Sequence, residues 1–320
     1  MADTQRSDAF PVYAWFITGF NMLVIAWGTV VRATGSGAGC GSHWPQCNGA
    51  IVPVLARLET AIEYGHRVSS ALAGLLVLIL VVWSFRRKGN GLSRSAAAVA
   101  LVFILLEGII GALLVRLELV AGNTSSLRAV VIALHLVNTL LLLAALALTA
   151  WAGRQHEPVH FSARTIIVVL LGIGMIGTAI LSAAGAVTAL GDTLFPAQSL
   201  ATGLNADINP DSSFLIRLRV IHPLIAVVVS AYLLALAQYL LRRYEAPSIA
   251  RNVKVLSVLV VLQVSAGFLN VLLLAPLWMQ LVHLVLADCV WLALLLLTLE
   301  TATQIAPSSQ PAQSTSAAQV

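Results

Sequence analysis

The sequence predicts an all-α integral membrane protein whose eight transmembrane helices form two pseudosymmetric four-helix bundles. Composition, the length of the apolar runs and the similarity between the two halves all point to this fold. Of the 320 residues, 59% are hydrophobic and only 10% are charged, and the mean hydropathy is +0.93. Soluble domains carry about 25% charged residues, so the lipid bilayer is the expected solvent. The formal charge of +5 does not indicate a nucleic-acid partner, because basic residues in membrane proteins report topology.

Apolar runs of about 20 residues are long enough to cross a bilayer, and they recur along this chain. Because backbone polar groups in lipid must be satisfied within each segment, every run is predicted to be a helix. The first run lacks a basic leading segment and follows residues 1–11, so we expect a retained helix rather than a signal peptide. The Ser-, Ala-, Pro- and Gln-rich residues 301–320 are predicted to form a disordered tail. The eight predicted spans are 12–31, 62–85, 95–117, 128–151, 165–190, 216–241, 252–274 and 277–300.

The distribution of lysine and arginine predicts the orientation of these spans. With the N-terminus inside, 11 of the 18 basic residues fall on the inner side, and six fall in outer segments or at helix mouths. Positive charge is retained on the cytoplasmic side of membranes, so both termini are predicted to be cytoplasmic. A bacterial plasma membrane is the expected location. The long connections 32–61 and 191–215 then lie outside the cell.

The two halves of the chain resemble each other, which indicates a duplication. The fourth-span segment "ALHLVNTLLLLAALALT" matches "LVHLVLADCVWLALLLLT" in the eighth span, and "LEGIIGALL" in the third span matches "LQVSAGFLNVLL" in the seventh. The second match pairs Glu107 with Gln263. Each half therefore has four helices in the same order and orientation, and the two bundles are predicted to comprise residues 12–151 and 165–300.

Four of the seven histidines occupy corresponding places in the even-numbered spans. They lie four to seven residues past the predicted outer ends, which is about 6–10 Å deep at 1.5 Å per residue. A lone histidine in a membrane helix is as easily a hydrogen-bonded core residue, but four at one depth, two per repeat, favour a common ligand. These are His66, His135, His222 and His283. The remaining three are His43, whose role the sequence leaves open, and His156 and His160, which are expected to be solvated loop residues.

Two histidines facing each other across a four-helix bundle are typical of haem ligation. Imidazole is a common axial ligand of haem iron, and bundle cores hold cofactors between facing helices. A bare metal ion usually has three or four protein ligands, and apart from Glu63 no cysteine or carboxylate cluster at this depth supplies them. Each half is therefore predicted to hold one haem near the outer leaflet.

Several motifs together resemble the haem A synthase family over about residues 12–300. They are "VRATGSGAGCGSHWPQCNG", "IEYGHRV", "LHLVNTLLLL", "RVIHPLIA" and "QLVHLVLADCVWLALL". The resemblance implies a membrane enzyme that oxidises a methyl group of haem O to a formyl group, giving haem A for cytochrome oxidase, with haem b as cofactor. It implies that the substrate haem is held by His66 and His135, and the haem b by His222 and His283. A haem O synthase and oxidase assembly factors are implied as neighbours.

An acid–base asymmetry between the halves agrees with this assignment. Glu63 lies three residues before His66 on the same helix face, and Arg219 lies three residues before His222. A carboxylate beside a haem can exchange protons or stabilise positive charge, so Glu63 is the predicted catalytic residue. Arg67 and Arg219 are candidate charge partners for haem propionates. The alternative is that Glu63 and Arg67 form an i,i+4 ion pair that only caps the helix.

The first outer loop carries Cys40 and Cys47, separated by "GSHWPQ". Because the outside of a membrane is oxidising, a disulfide is expected there. Its role, a structural crosslink or a thiol relay, stays open. The second outer loop has no cysteine, although some members of the resembled family have a second pair there, so a relay through both loops is not expected. Cys289 in the eighth span is predicted to be an inert buried thiol.

Other polar residues inside the spans are expected to make interhelical contacts. Asn138, Asn270 and Asp288 are of this kind. Glu107 stands where a glutamine is expected by analogy with Gln263, and an acid at this depth is costly and often functional. Glu107 is predicted either to hydrogen-bond across helices or to take part in proton delivery.

Two other functions explain part of the same pattern. A di-haem b electron carrier or quinone oxidoreductase would need the four histidines, but it would not need Glu63, the long outer loops or the Glu63–Arg219 asymmetry. A transporter or haem-delivery scaffold would bind haem only transiently. The sequence does not decide the electron donor, the source of oxygen or whether the chain forms a homo-oligomer.

Overall fold

The computed structural model describes residues 9–87, 89–155, 159–161 and 165–303. In these ranges the chain is helical, with ten α-helices, two short 3-10 turns and one isolated β-bridge between Cys47 and Ala50. The helices are α1 (Ala9–Ala33), α2 (Leu58–Arg86), α3 (Gly91–Arg116), α4 (Ser126–Gly153), α5 (Thr165–Leu194), α6 (Leu200–Ile208), α7 (Phe214–Arg217), α8 (Ile221–Arg243), α9 (Pro247–Leu272) and α10 (Leu277–Thr303).

Eight helical segments are long and apolar enough to cross a membrane, so the all-α multi-pass prediction is confirmed. Seven are α1–α5, α9 and α10, and the eighth joins α7, a 3-10 turn and α8 into Phe214–Arg243. Most predicted bounds are short by a few residues, because helices continue beyond the apolar run that hydropathy detects. α2, for example, begins at Leu58 and includes the polar Glu59 and Thr60.

Several terminal and loop predictions fall partly or wholly outside the described residues. They are the N-terminal segment 1–8, the tail 304–320, and the inner-side residues Lys88, His156 and Arg164. Of the predicted tail, residues 301–303 belong to α10, which corrects the boundary. His160 is described and is exposed, as expected of a loop residue.

The helices contact one another in two rings of four. α1 and α3 each contact both α2 and α4, while α5 and α9 each contact both α10 and the long helical segment that contains α8. The halves meet where α4 packs on α5 and α10, and where α1 packs on α10. The indole Nε1 of Trp291 donates to the carbonyl oxygen of Leu140 (2.7 Å) across this junction, so α10 and α4 are fixed in depth relative to each other.

The two largest apolar core clusters lie in the half of each ring away from the histidines. One core cluster includes Phe10, Leu80 and Leu146, and the other includes Leu240 and Ile249, all at most 2% exposed. These residues come from the starts of the odd-numbered spans and the ends of the even-numbered spans. Burying apolar side chains there stabilises each ring.

Candidate functional site

The four paired histidines lie at similar depth on alternate spans. They stand six to nine residues from the outer ends of α2, α4, the Phe214–Arg243 span and α10, about 9–14 Å along each helix. The depth is slightly greater than the sequence predicted, because the helices extend further outward than their apolar cores. The histidines therefore lie within the membrane-spanning segments, near the end that carries the two long connections, which is predicted to be the outer end.

The second-half histidines face each other. The ring centroids of His222 and His283 are 6.4 Å apart and the ring planes are at 85°. Imidazole–metal bonds are about 2.0–2.1 Å long, so two rings that ligate one ion from opposite sides have centroids roughly 6 Å apart. His222 Nδ1 lies 3.2 Å from the carbonyl oxygen of Leu181, which leaves its Nε2 for a ligand. The arrangement fits axial ligation of a haem iron.

The first-half histidines, His66 on α2 and His135 on α4, differ in their hydrogen-bond partners. His135 Nδ1 is 2.5 Å from Glu107 Oε2 on the neighbouring helix α3. His66 Nδ1 is buried and has no hydrogen-bond partner among the described residues, and the same holds for His283 Nδ1. Buried, unpaired imidazole nitrogens are costly in a protein that is complete without a ligand, so they too fit a haem site.

Three glycines bring helix backbone against the imidazole rings. A Cβ built on Gly28 would lie 3.2 Å from His66 Cε1, one on Gly185 would lie 2.9 Å from His222 Cε1, and one on Gly267 would lie 3.0 Å from His283 Cε1. Each glycine is on a helix that packs beside its histidine. The missing side chains allow the rings to lie close against the bundle backbone.

Glu63 is held by the first outer loop. The backbone N–H of Cys40 donates to Glu63 Oε2 (2.7 Å), and Arg67 donates to Glu63 Oε1 (2.5 Å). The side chains of Glu63 and Arg67 are only 5% and 13% exposed. The i,i+4 ion pair that the sequence offered as an alternative is therefore present, and it extends beyond helix capping because it also binds the loop.

The loop itself is closed by the predicted disulfide. Cys40 and Cys47 are bonded, with their Cα atoms 4.4 Å apart. Arg67 Nη1 donates to the carbonyl oxygens of His43 (2.8 Å) and Gln46 (2.7 Å), both inside the disulfide ring. The guanidinium of Arg67 thus joins Glu63 to this loop.

Arg219, the other candidate propionate partner, is also engaged within the protein. It donates to Asp207 (3.0 Å) and to Asp192 (3.0 Å), and its side chain is 10% exposed. Asp207 belongs to α6 in the second outer loop and Asp192 to the end of α5. Arg219 therefore connects that loop to the outer end of the second ring.

At the same end, a different arginine, Arg32, bridges the two halves. Arg32, at the end of α1, donates to the carbonyl oxygen of Ala189 (2.6 Å), to Thr193 and to Gln280 Oε1 (2.7 Å). Sequence reasoning assigned no role to Arg32, Asp192 or Asp207. Their partners depend on how α1, α5, α6 and α10 assemble, which the sequence pattern does not show.

The interhelical polar contacts have mixed outcomes. Asn138 Nδ2 donates to the carbonyl oxygen of Phe103 (2.9 Å) and Glu107 contacts His135, so these two predictions are confirmed. The prediction for Asp288 is wrong: it is 1% exposed, and neither carboxylate oxygen has a hydrogen-bond partner in the described part of the chain. Asn270 Oδ1 is unpaired in the same sense. Cys289 is free and only half-buried.

Comparison with known proteins agrees with the resemblance carried by the motifs. A family model described as "Cytochrome oxidase assembly protein" matches residues 11–295. A protein of Bacillus licheniformis named "Heme A synthase" is 35% identical over 161 residues, covering 49% of this chain and 51% of that protein. An Exiguobacterium protein of the same name is 41% identical over 101 residues, covering 31% and 34% of the two chains. The chain belongs to the haem A synthase family.

Another relative of this chain has a different name. A Thermus thermophilus protein named "Protoheme IX farnesyltransferase" is 45% identical over 282 residues. The match covers 88% of this chain but only 46% of the Thermus protein, so the chain spans about half the length of that relative. More than half of the Thermus protein therefore has no counterpart in this chain.

Proposed function

We propose that the chain is an oxidoreductase that converts a methyl group of haem O to a formyl group, giving haem A for cytochrome oxidase. The observation that carries the proposal is the facing pair His222 and His283, with ring centroids 6.4 Å apart, in a chain of this family. A second histidine pair at similar depth in the first ring supports a second haem. Two haem sites in one chain suit a reaction in which one haem is substrate and the other is cofactor.

The chain's own residues divide between these two sites. His66 and His135 would hold the substrate haem, and His222 and His283 would hold haem b. When bound, haem b supplies one-electron redox chemistry. The two rings of helices touch through α4, α5 and α10, which supports electron transfer between the halves.

Glu63 is the proposed catalytic residue. It lies one helical turn before His66, and its carboxylate is fixed by the Cys40 N–H and by Arg67. Conversion of the methyl to the formyl group follows R–CH₃ + H₂O → R–CHO + 4 e⁻ + 4 H⁺, so the reaction requires an electron acceptor such as dioxygen. A carboxylate held beside the reacting carbon can stabilise positive charge there and accept the released protons.

Location and partners are part of the same proposal. The basic residues support a plasma-membrane protein with both termini in the cytoplasm and the histidine end facing outward. The Thermus relative is named for farnesyl transfer to protohaem and is about twice the matched length, which supports a prenylating enzyme as the neighbour that supplies haem O. Oxidase assembly factors would receive the product. A homo-oligomer stays an open alternative.

The test is to supply the purified chain in lipid vesicles with haem O and air, and then to extract the pigments. We expect a formyl haem that accumulates with time in the wild type. The double variant His66→Ala/His135→Ala should leave haem O unchanged. A wild type that retains only protohaem and passes electrons to a quinone would instead identify the di-haem electron carrier, and transient haem binding without either activity would identify a haem-delivery scaffold.

A further inference from the structure

A polar cluster of Glu107, His135 and Thr139 joins helices α3 and α4 in the first half. Glu107 Oε2 is 2.5 Å from His135 Nδ1, and the hydroxyl of Thr139 donates to Glu107 Oε1. The same hydroxyl lies 2.9 Å from the carbonyl oxygen of His135, one turn earlier on α4. Both oxygens of the carboxylate are therefore fixed, one by Thr139 and one by the imidazole.

The contact determines which nitrogen of His135 is left to bind a metal. A carboxylate accepts hydrogen bonds, so Nδ1 carries the proton that points to Glu107. Nε2 is then the nitrogen with a free lone pair, and it is the one that can bind a metal. The ring is held in this orientation by a hydrogen bond between two adjacent helices, and the orientation does not depend on a bound ligand.

The other three paired histidines lack this feature. Their ring nitrogens make contacts of a different kind: His222 Nδ1 meets a backbone carbonyl oxygen (3.2 Å), His283 Nε2 lies 3.3 Å from Gln263 Nε2, and His66 Nδ1 is unpaired within the described residues. Gln263 occupies in α9 the position that Glu107 occupies in α3 by the internal repeat. The two halves thus differ in charge and in contact: the acid Glu107 meets Nδ1 of its histidine, whereas the neutral amide of Gln263 meets Nε2 of His283 and leaves Nδ1 unpaired within the described residues.

A carboxylate that accepts the second N–H of a ligating histidine makes that histidine a stronger donor to the metal. Hydrogen bonding to the axial ligand is one of the ways in which a protein sets the reduction potential of a haem. A stronger donor stabilises the oxidised iron and lowers its potential. A neutral amide at the equivalent position has a smaller effect, because it carries no net charge.

We propose that Glu107 is a positioning residue that strengthens His135 as an iron ligand, so that a haem in the first half has a lower reduction potential than a haem in the second half. The proposal rests on the proposed haem sites and adds a specific electronic difference between them. It assigns a role to an acid for which the sequence left two interpretations. A lower reduction potential in the first half favours transfer of electrons from the substrate haem to haem b.

The test compares wild type with Glu107→Gln, Glu107→Asp and Gln263→Glu, each purified as the full chain with its bound haems. Midpoint potentials from optical redox titration and the ferric low-spin EPR g-values are the readouts. We expect Glu107→Gln to raise the lower of the two potentials, to shift one set of g-values and to weaken haem retention on the order of 10–100-fold. Glu107→Asp should restore most of the wild-type signal.

The variant Gln263→Glu makes the matched exchange in the other half, so the test does not depend on whether one variant folds. Gln263→Glu should lower the other potential and leave the first unchanged. Unchanged potentials in both Glu107→Gln and Gln263→Glu, with two haems bound, would overturn this inference alone. A wild type whose haem content is unaffected by His66→Ala and His135→Ala would overturn the first haem site, and this inference with it.

Discussion

The backbone N–H of Cys40 donates a hydrogen bond of 2.7 Å to the carboxylate of Glu63. One partner is half of the outer-loop disulfide, and the other is the proposed catalytic acid. Arg67 completes the unit, since it binds the second oxygen of Glu63 and two carbonyl oxygens of the loop. The disulfide loop therefore sets where the carboxylate points, which gives the crosslink a structural role next to the proposed reacting group.

Replacing Glu63 tests its chemical role with little change of shape. In Glu63→Gln the amide can still accept from Cys40, but the ion pair with Arg67 is lost, and we expect the free energy of unfolding to fall by about 1.5–3 kcal/mol. Loss of the charge should lower formyl-haem production by about 10²–10⁴-fold while both haems stay bound. Haem content is read from the optical spectrum and product from extracted pigment.

The matched control is Glu59→Gln, one turn earlier on α2, where the side chain is 47% exposed and lies 3.6 Å from an exposed arginine. This variant should retain wild-type stability and turnover. Full product formation by Glu63→Gln would reject a catalytic role and leave the ion pair as a loop anchor.

Adding a methyl group at Gly185 should disturb the second haem site. The new Cβ would lie 2.9 Å from His222 Cε1, and the ring cannot move away without losing its contact with the carbonyl oxygen of Leu181. We expect Gly185→Ala to cost about 1–3 kcal/mol and to lower haem occupancy in that half.

The control for this variant is Gly172→Ala on the same helix, where a Cβ would meet nothing within 4 Å. Alanine is the better helix former by up to about 1 kcal/mol, so this change should leave the melting temperature equal or higher. Equal haem content and equal melting temperature in both variants would contradict the close packing of Gly185 on His222.

Arg219 is expected to stabilise the second outer loop rather than to select a ligand. Arg219→Gln removes its ion pairs with both Asp192 and Asp207 and leaves the two acids together, so the free energy of unfolding should fall on the order of 3 kcal/mol. Proteolytic cleavage within residues 195–213 should accelerate. Arg242→Gln, at the inner end of the same span, is the control and should leave cleavage of this loop as in the wild type. Loss of haem without faster cleavage would restore the propionate role predicted from the sequence.

Much of the fold can be predicted from the sequence because few backbone conformations are stable in lipid. A backbone in a bilayer must be helical, so the eight spans follow from apolar length alone. The candidate ligands follow as well, because histidine is unusual in such spans and these four recur at one depth in both halves. The contact between Cys40 and Glu63 could not be predicted, since it depends on how the outer loop folds back onto α2.

The polar contacts that the sequence did not predict depend on how loops and helices pack. Arg67 and Arg219 stay candidate propionate partners, but the loops that fold over them also supply protein partners, and helix α6 supplies one for Arg219. Asp288 is expected to form an interhelical contact, yet it is buried on α10 without a partner among the described residues. Hydropathy and periodicity carry no information on such neighbours.

The most direct test of the central claim is the haem content of the wild type and of the four single variants His66→Ala, His135→Ala, His222→Ala and His283→Ala. We predict up to two haems per wild-type chain, loss of one specific haem when either histidine of the first pair is replaced, and loss of the other when either histidine of the second pair is replaced. Haem content that is the same in all five proteins would contradict ligation by these pairs.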